Sequence, residues 1–161
     1  WLSRTDLLTK VGNRRDFEDR LEASLARRRR HREETALLML DIDKFKSVND
    51  QFGHHAGDAV LVEIAERLEA ALRKEDSLAR WGGEEFVLLL PRADLNAAKE
   101  FGSRVRSRIS DSPFGCAGTI TASIGITMLT ETDTVESAVA RVDRALYRAK
   151  DNGRDRIECE D

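Results

Sequence analysis

The chain has only two cysteines in 161 residues, Cys116 and Cys159, far apart and in no ligand-like spacing. That scarcity excludes a disulfide-stapled secreted fold and a cysteine-built metal centre. The expectation is one buried thiol and one free thiol near the C-terminus, in a reducing, cytoplasmic compartment. Long hydrophobic runs are also missing. Apolar stretches such as Ala36–Leu40 are strand-sized, so the sequence shows neither a signal peptide nor a membrane-spanning segment. Internal repeats, low-complexity tracts and linkers are absent. A net charge of −3 argues against a general nucleic-acid binder. The arginines can still build local anion sites without giving the molecule a positive field.

What is present is ordinary for a globular protein: 40% hydrophobic and 35% charged residues. Residues 1–161 read as one domain, long enough to bury a core. The chain begins at Trp1 rather than Met and is read as the C-terminal piece of a longer protein. A sensory or membrane-tethering region would then lie upstream.

Periodicity supplies the elements. Asn13 is a good N-cap for a helix with Phe17, Leu21 and Leu25 on one face. The run Arg27–Arg32 ends that helix, read either as a nucleic-acid patch or as a solvated helix end favoured by the macrodipole. Ala36–Asp43 is almost continuously apolar and reads as a central strand. A short helix over Lys44–Gln51, a loop through Gly53 and Gly57, and a helix carrying Leu61, Ile64, Ala65, Leu68 and Leu72 follow. Ser77–Trp81 and Phe86–Leu90 read as the two strands of a hairpin with Gly82-Gly83 as a primed turn. Asp94 caps a helix with Leu95, Ala98, Phe101, Val105 and Ile109 inward, at a cost of about 1 kcal/mol for Gly102 relative to Ala. Thr119–Met128 reads as a strand. Asp133 and Glu136 have capping-box spacing ahead of a last helix whose buried stripe runs from Val135 to Ala149. A short strand over Arg156–Glu158 closes the chain. The hairpin forces antiparallel pairing, so the fold class is α+β: a mostly antiparallel sheet flanked by helices.

The chemistry concentrates at strand ends. Asp41 and Asp43 finish the apolar strand two residues apart and point to the same side. Buried carboxylates there are costly unless solvated, paired or metal-bound. They are either loop carboxylates capping the next helix or half of a magnesium site completed by Glu84 and Glu85. Magnesium takes one or two carboxylates plus phosphates and water, a need that Asp41 with Glu84 meets.

Arg80-Trp81-Gly82-Gly83-Glu84-Glu85-Phe86 resembles the signature of the GGDEF family of diguanylate cyclases, in its GGEEF form. Other segments extend the likeness along the whole chain: Thr5-Asp6-Leu7-Leu8-Thr9 with Asn13-Arg14-Arg15; Asp41-Ile42-Asp43-Lys44-Phe45-Lys46 with Asn49-Asp50, Gly53-His54 and Gly57-Asp58; and Ala145-Leu146-Tyr147-Arg148-Ala149-Lys150 with Gly153-Arg154. The resemblance implies a palm-like nucleotidyl-cyclase fold (a ferredoxin-like core) and the condensation of two GTP into cyclic di-GMP and two pyrophosphates, within a homodimer.

By that likeness Asp41, Glu84 and the Ile42 carbonyl hold Mg2+ or Mn2+. Asn49 and Asp58 read the guanine, and His54 lies beside the nucleotide. Lys46, Lys150 and Arg154 neutralise phosphates, and Glu84, with Glu85 next to it, helps remove the 3′-hydroxyl proton. Arg73, Asp76 and Arg104 match the family's inhibitory product site. Taken singly, these residues also fit plain surface or capping roles, and a non-catalytic module sensing GTP or cyclic di-GMP is the alternative. The chain departs from the family pattern at Lys10, where glycine is usual, and at Val11, Val142 and Asp155, where asparagine is usual in the last case. None of these removes an implied metal ligand.

Overall fold

In the computed structural model, which describes residues 2–161, the sheet is built outward from the most apolar strand. β1 (Thr35–Ile42) is buried along its whole length, because its neighbours cover both edges and helices cover both faces. β2 (Ser77–Arg80) pairs antiparallel with β3 (Glu85–Pro91), and β3 pairs antiparallel with β1. On its other edge β1 pairs antiparallel with β4 (Ala122–Met128). β5 (Ile157–Cys159) runs parallel to its neighbour β4, completing the order β2-β3-β1-β4-β5. The mostly antiparallel α+β expectation is therefore met.

Alternation along the strands sorts the helices into two layers. Leu38, Leu40, Phe86, Leu88, Ile124 and Ile126 face α3 (His54–Ala71) and α4 (Leu95–Ser110). Leu37, Met39, Val87 and Leu89 face α1 (Arg14–His31) and α5 (Val135–Asp151). Asp41 continues the second series, which places it on the α5 side of the sheet. The short α2 (Phe45–Phe52) follows β1 and anchors itself with Phe45 and Val48.

Several local expectations are corrected. Gly57 lies inside the first turns of α3, not in a loop, because its missing side chain lets Asn49 of α2 fold over it. The last helix is capped by Thr134, whose hydroxyl accepts from the Ser137 N–H, with Ser137 bonding back. Asp133 instead turns inward to Arg141, so the expected Asp133–Glu136 box does not form. β4 starts at Ala122, since Thr119–Thr121 belong to the preceding loop. Gly82 and Gly83 are not in the left-handed region, so the turn is no primed hairpin. It is a longer connection held by Arg80, whose guanidinium donates to the carbonyls of Gly82 and Gly83. Cys116 is exposed and Cys159 half-buried, against the expectation of a deeply buried thiol.

Two packing details explain residues that looked costly. Gly102 sits where a methyl would come within 3.2 Å of Ile126 Cδ1 and 3.3 Å of Ile157 Cγ2, so its helix-propensity cost is exchanged for close packing on the sheet. The arginine run at the end of α1 is mostly consumed locally. Arg27 bonds Ser24 and Glu33, Arg28 bonds the Arg32 carbonyl, Arg29 bonds the Asp133 carbonyl, and Arg32 pairs with Glu131. This favours the helix-end reading over a nucleic-acid patch.

Candidate active site

The end of β1, the tip of the β2–β3 connection and the C-terminal half of α5 converge at one end of the central strands. Asp41 stands directly opposite Glu85 in the β1–β3 register. The next residue, Ile42, donates its N–H to the Glu84 carbonyl at 3.2 Å, which sews the glycine turn to the strand end. From α5, the Lys150 ammonium donates to Asp41 Oδ2 at 2.7 Å, with Asp41 almost buried. Burial pushes the Asp41 carboxyl above its ordinary range, Lys150 pulls it back, and the charges of Glu84 and Asp43 push it further up. Glu85 is raised in the same way, first by burial and then by Asp41, with smaller contributions from Asp143 and Glu84.

Carboxylates therefore outnumber cations at this end, which is the charge state a hard divalent ion relieves. Among the described residues no group of three His, Cys, Asp or Glu side chains is arranged to hold a metal by itself. An ion on Asp41 and Glu84 would complete its shell with the Ile42 carbonyl, phosphate oxygens and water, the habit of magnesium. The residues present fit that group.

Asp43 has a different place. Its carboxylate accepts from Ser123 Oγ at 2.6 Å, Thr121 Oγ1 at 2.7 Å and the Asp155 N–H at 3.0 Å. With three donors on a buried carboxylate it is a structural acceptor, not half of a metal site as its spacing from Asp41 suggested.

Directly after β1, Lys44 in a left-handed conformation precedes α2 and gives it no side-chain cap. The Ser47 N–H of the first turn donates to the Lys44 carbonyl at 3.0 Å, so only the N–H groups ahead of it are open to a phosphate. Lys46, His54 and Asp58 are exposed along α2 and the start of α3, and Asn49 is half-buried against Gly57. Lys44 and Arg154 line a cleft of about 350 Å³ with Ser47 and Gln51. The structure thus brings Lys150 onto Asp41, sets Glu85 opposite Asp41 in the register, and places Glu84 within its electrostatic reach. It sets Asn49 and Asp58 apart, on α2 and the start of α3, and puts Arg154 in the separate cleft.

Arg73, Asp76 and Arg104 share one cleft of about 210 Å³ with Arg92 and Glu100. Arg73 donates to Asp76 Oδ1 at 2.9 Å and to the Pro91 carbonyl at 2.7 Å, and its backbone N–H also reaches Asp76. The Arg104 guanidinium lies 5.4 Å from the centre of the Phe101 ring.

Comparison with known proteins decides the family. The model for "Diguanylate cyclase, GGDEF domain" matches residues 3–156. The chain belongs to the GGDEF family. Diguanylate cyclase DgcP of Pseudomonas aeruginosa is 48% identical over 157 residues, covering 96% of this chain and 23% of that protein. Diguanylate cyclase DgcM of Escherichia coli is 39% identical over 152 residues, 94% of this chain and 37% of that one. The GGDEF domain thus spans well under half the length of these curated relatives. Its fold superposes on the GGDEF domain of DgcB from Caulobacter crescentus, solved in complex with c-di-GMP, at a TM-score of 0.93 and 31% identity, covering 99% and 96% of the two chains. Diguanylate cyclase SiaD of P. aeruginosa, solved with its activator SiaC, matches at 0.92 and 43%, covering 98% of this chain and 61% of that one.

Sequence reasoning missed three features of this GGDEF domain. Asp6 accepts from Thr9 and lies 3.4 Å from Arg80, linking the N-terminal turn to the carbonyls of the glycine turn. Asp143 reaches the field of Glu85 from α5, and its spacing of seven from Lys150 put it on the same helical face. Gly57 makes room for Asn49, a role that only the packed helices reveal.

Proposed function

We propose that the domain is a diguanylate cyclase that condenses two GTP into cyclic di-GMP with release of two pyrophosphates. The observation that carries this reading is the meeting of Asp41 with Lys150, 2.7 Å apart, beside Glu84 and Glu85. Such a site offers both acceptors for a cation and a cation for a phosphate.

Asp41, Glu84 and the Ile42 carbonyl are the groups that would hold Mg2+ or Mn2+. When bound, the ion supplies Lewis acidity to the phosphates and offsets charge on the leaving pyrophosphate. Asn49 and Asp58 contribute an amide and a carboxylate, which match the acceptor and donor edges of guanine. His54 flanks the nucleotide. Lys46, Lys150, Arg154 and the N–H groups opening α2 face the triphosphate. They absorb the negative charge that grows as the 3′-oxygen of the second GTP attacks the α-phosphate. Glu84 accepts the proton that the 3′-hydroxyl gives up, with Glu85 beside it.

One domain presents one such set of groups and the reaction joins two nucleotides, so catalysis needs two domains face to face as a homodimer. Cyclic di-GMP held by Arg73, Asp76 and Arg104 keeps domains out of that arrangement. Arginine suits a guanine O6/N7 edge or a phosphate, and aspartate accepts from guanine N–H groups.

The test is incubation with GTP and magnesium over a range of protein concentrations, with chromatography for pyrophosphate and cyclic dinucleotide. Product should appear at a rate that climbs faster than linearly with protein. Glu84→Gln should lower it at least about a hundredfold, the scale of losing a proton acceptor, with unchanged thermal unfolding. GTP binding without product would instead indicate a sensing module.

A further inference from the structure

Three successive residues after α5 adopt positive φ: Gly153 at 122°, Arg154 at 64° and Asp155 at 46°. Two of them carry side chains, so the backbone is strained there and needs outside restraint to persist. The restraints are visible. Arg154 donates its N–H to the Ala149 carbonyl at 3.0 Å and Gly153 donates to Lys150 at 3.3 Å, both from the end of α5. The third peptide, Asp155 N–H, leaves the helix and donates 3.0 Å to Asp43 Oδ2 in the segment after β1. Asp43 is 8% exposed and is itself fixed by Thr121 and Ser123. The Asp155 side chain adds an ion pair of 2.7 Å to Arg106 of α4, in more solvated surroundings.

From this we infer that Asp43 is a positioning residue: it pins the left-handed turn 153–155 so that Arg154 projects into the cleft beside Lys44. The inference rests on the reading of Arg154 as a phosphate-binding cation, and it assigns to Asp43 a duty different from metal ligation. The oxygens of Asp43 are spent on two hydroxyls and a peptide N–H, and it acts through the shape of the turn. Among the described residues the Arg154 side chain finds no hydrogen-bond partner to carry that shape by itself, and its φ favours other conformations. Releasing the Asp155 N–H should therefore let the turn relax and move the guanidinium away.

The test has one arm on the protein alone and one with nucleotide. Asp43→Asn keeps volume and polarity but replaces one acceptor oxygen by a donor. Hydrogen exchange of the Asp155 amide, measured without any ligand, should accelerate at least about tenfold relative to wild type, while amides in β1 and β4 keep their protection. An unchanged Asp155 amide overturns the inference, whatever the protein does with GTP. In the second arm, affinity for GTP with magnesium is measured by calorimetry in wild type, Asp43→Asn, Arg154→Ala and the double variant. Asp43→Asn should weaken binding about tenfold in wild type and less than twofold in the Arg154→Ala background. Equal losses in both backgrounds, or a loss of magnesium affinity at unchanged GTP affinity, would show that Asp43 does not act through Arg154. Thr121→Val, which removes one support of Asp43, should show a smaller effect of the same kind. If wild type binds no GTP at all, the cyclase reading fails, and the exchange arm still decides whether Asp43 holds the turn.

Discussion

Gly57→Ala separates fold from function most sharply in this domain. A methyl built at Gly57 lies 1.9 Å from Asn49 Oδ1, 2.9 Å from its Cγ and 3.2 Å from Phe45 Cζ. The Phe45 contact needs only a few tenths of an ångström. The Asn49 amide must retreat about 1.5 Å to reach ordinary contact. It is the free end of a flexible side chain, so it swings rather than breaking the packing. Alanine is better than glycine in a helix by about 1 kcal/mol, which offsets the steric cost in α3. The unfolding midpoint should therefore stay within about 4 °C of wild type, since about 1 kcal/mol moves a domain of this size by roughly 2–4 °C.

Guanine recognition should suffer instead. Losing a well-placed hydrogen-bonding amide costs about 1–3 kcal/mol of base discrimination, or roughly 5- to 150-fold. Differential scanning calorimetry and GTP titration on the same preparation read the two effects. GTP affinity within twofold of wild type would refute Asn49 as a guanine reader held over Gly57. A fall of 10 °C or more in the midpoint would refute the packing argument.

Lys10 has φ 67° where the family usually has glycine, so Lys10→Gly should relieve left-handed strain net of glycine's own entropy cost and stabilise the fold by about 0.5–1 kcal/mol in urea denaturation. Asp133, 2.7 Å from Arg141, is held down to about 2 from 3.8: burial alone would raise it, but hydrogen bonds from Arg141, the Thr130 N–H and Ser137, with the charge of Arg141, together outweigh burial. A depressed carboxylate stabilises the fold above its unfolded pKa and loses that contribution as pH falls through the folded value. Between pH 5 and pH 2 about 2 kcal/mol should be lost through this group. Asp133→Asn should flatten that part of the pH–stability curve, and an equal slope would contradict the pairing. Arg73→Ala should leave the initial rate of cyclic di-GMP formation unchanged while abolishing inhibition by added product. Inhibition that persists would exclude that cleft as the inhibitory site.

The sheet was legible in the sequence wherever burial imposes a pattern. β1 is buried on both faces and wrote itself as an unbroken apolar run, and the inward stripe of α5 from Ala138 to Ala149 repeats at helical spacing. The N-caps Asn13 and Asp94 were equally readable, because a short polar side chain before an apolar period has a local cause. What failed depended on partners distant in sequence. Asp133 has capping-box spacing, yet a buried guanidinium offers it more than a helix end does. Gly57 looks like a loop glycine until α2 is packed against α3.

The same divide runs through the candidate site. Asp41 and Lys150 are 109 positions apart, so no spacing rule pairs them, and only the crossing of β1 by α5 does. Family likeness named both residues without saying that they touch. Asp43 shows the reverse error: its spacing from Asp41 suggested a shared ion, but the Thr121 and Ser123 hydroxyls and the Asp155 N–H, all distant in sequence, claim its oxygens.

The central claim is that Asp41 and Glu84 share a divalent ion that also meets the triphosphate. Crystals grown with Mn2+ and a non-hydrolysable GTP analogue test it directly through the anomalous signal of manganese. A peak within coordination distance of Asp41, Glu84 and a phosphate oxygen is the expected result. An ordered nucleotide with the manganese peak elsewhere, or with no peak between those two carboxylates, would contradict it.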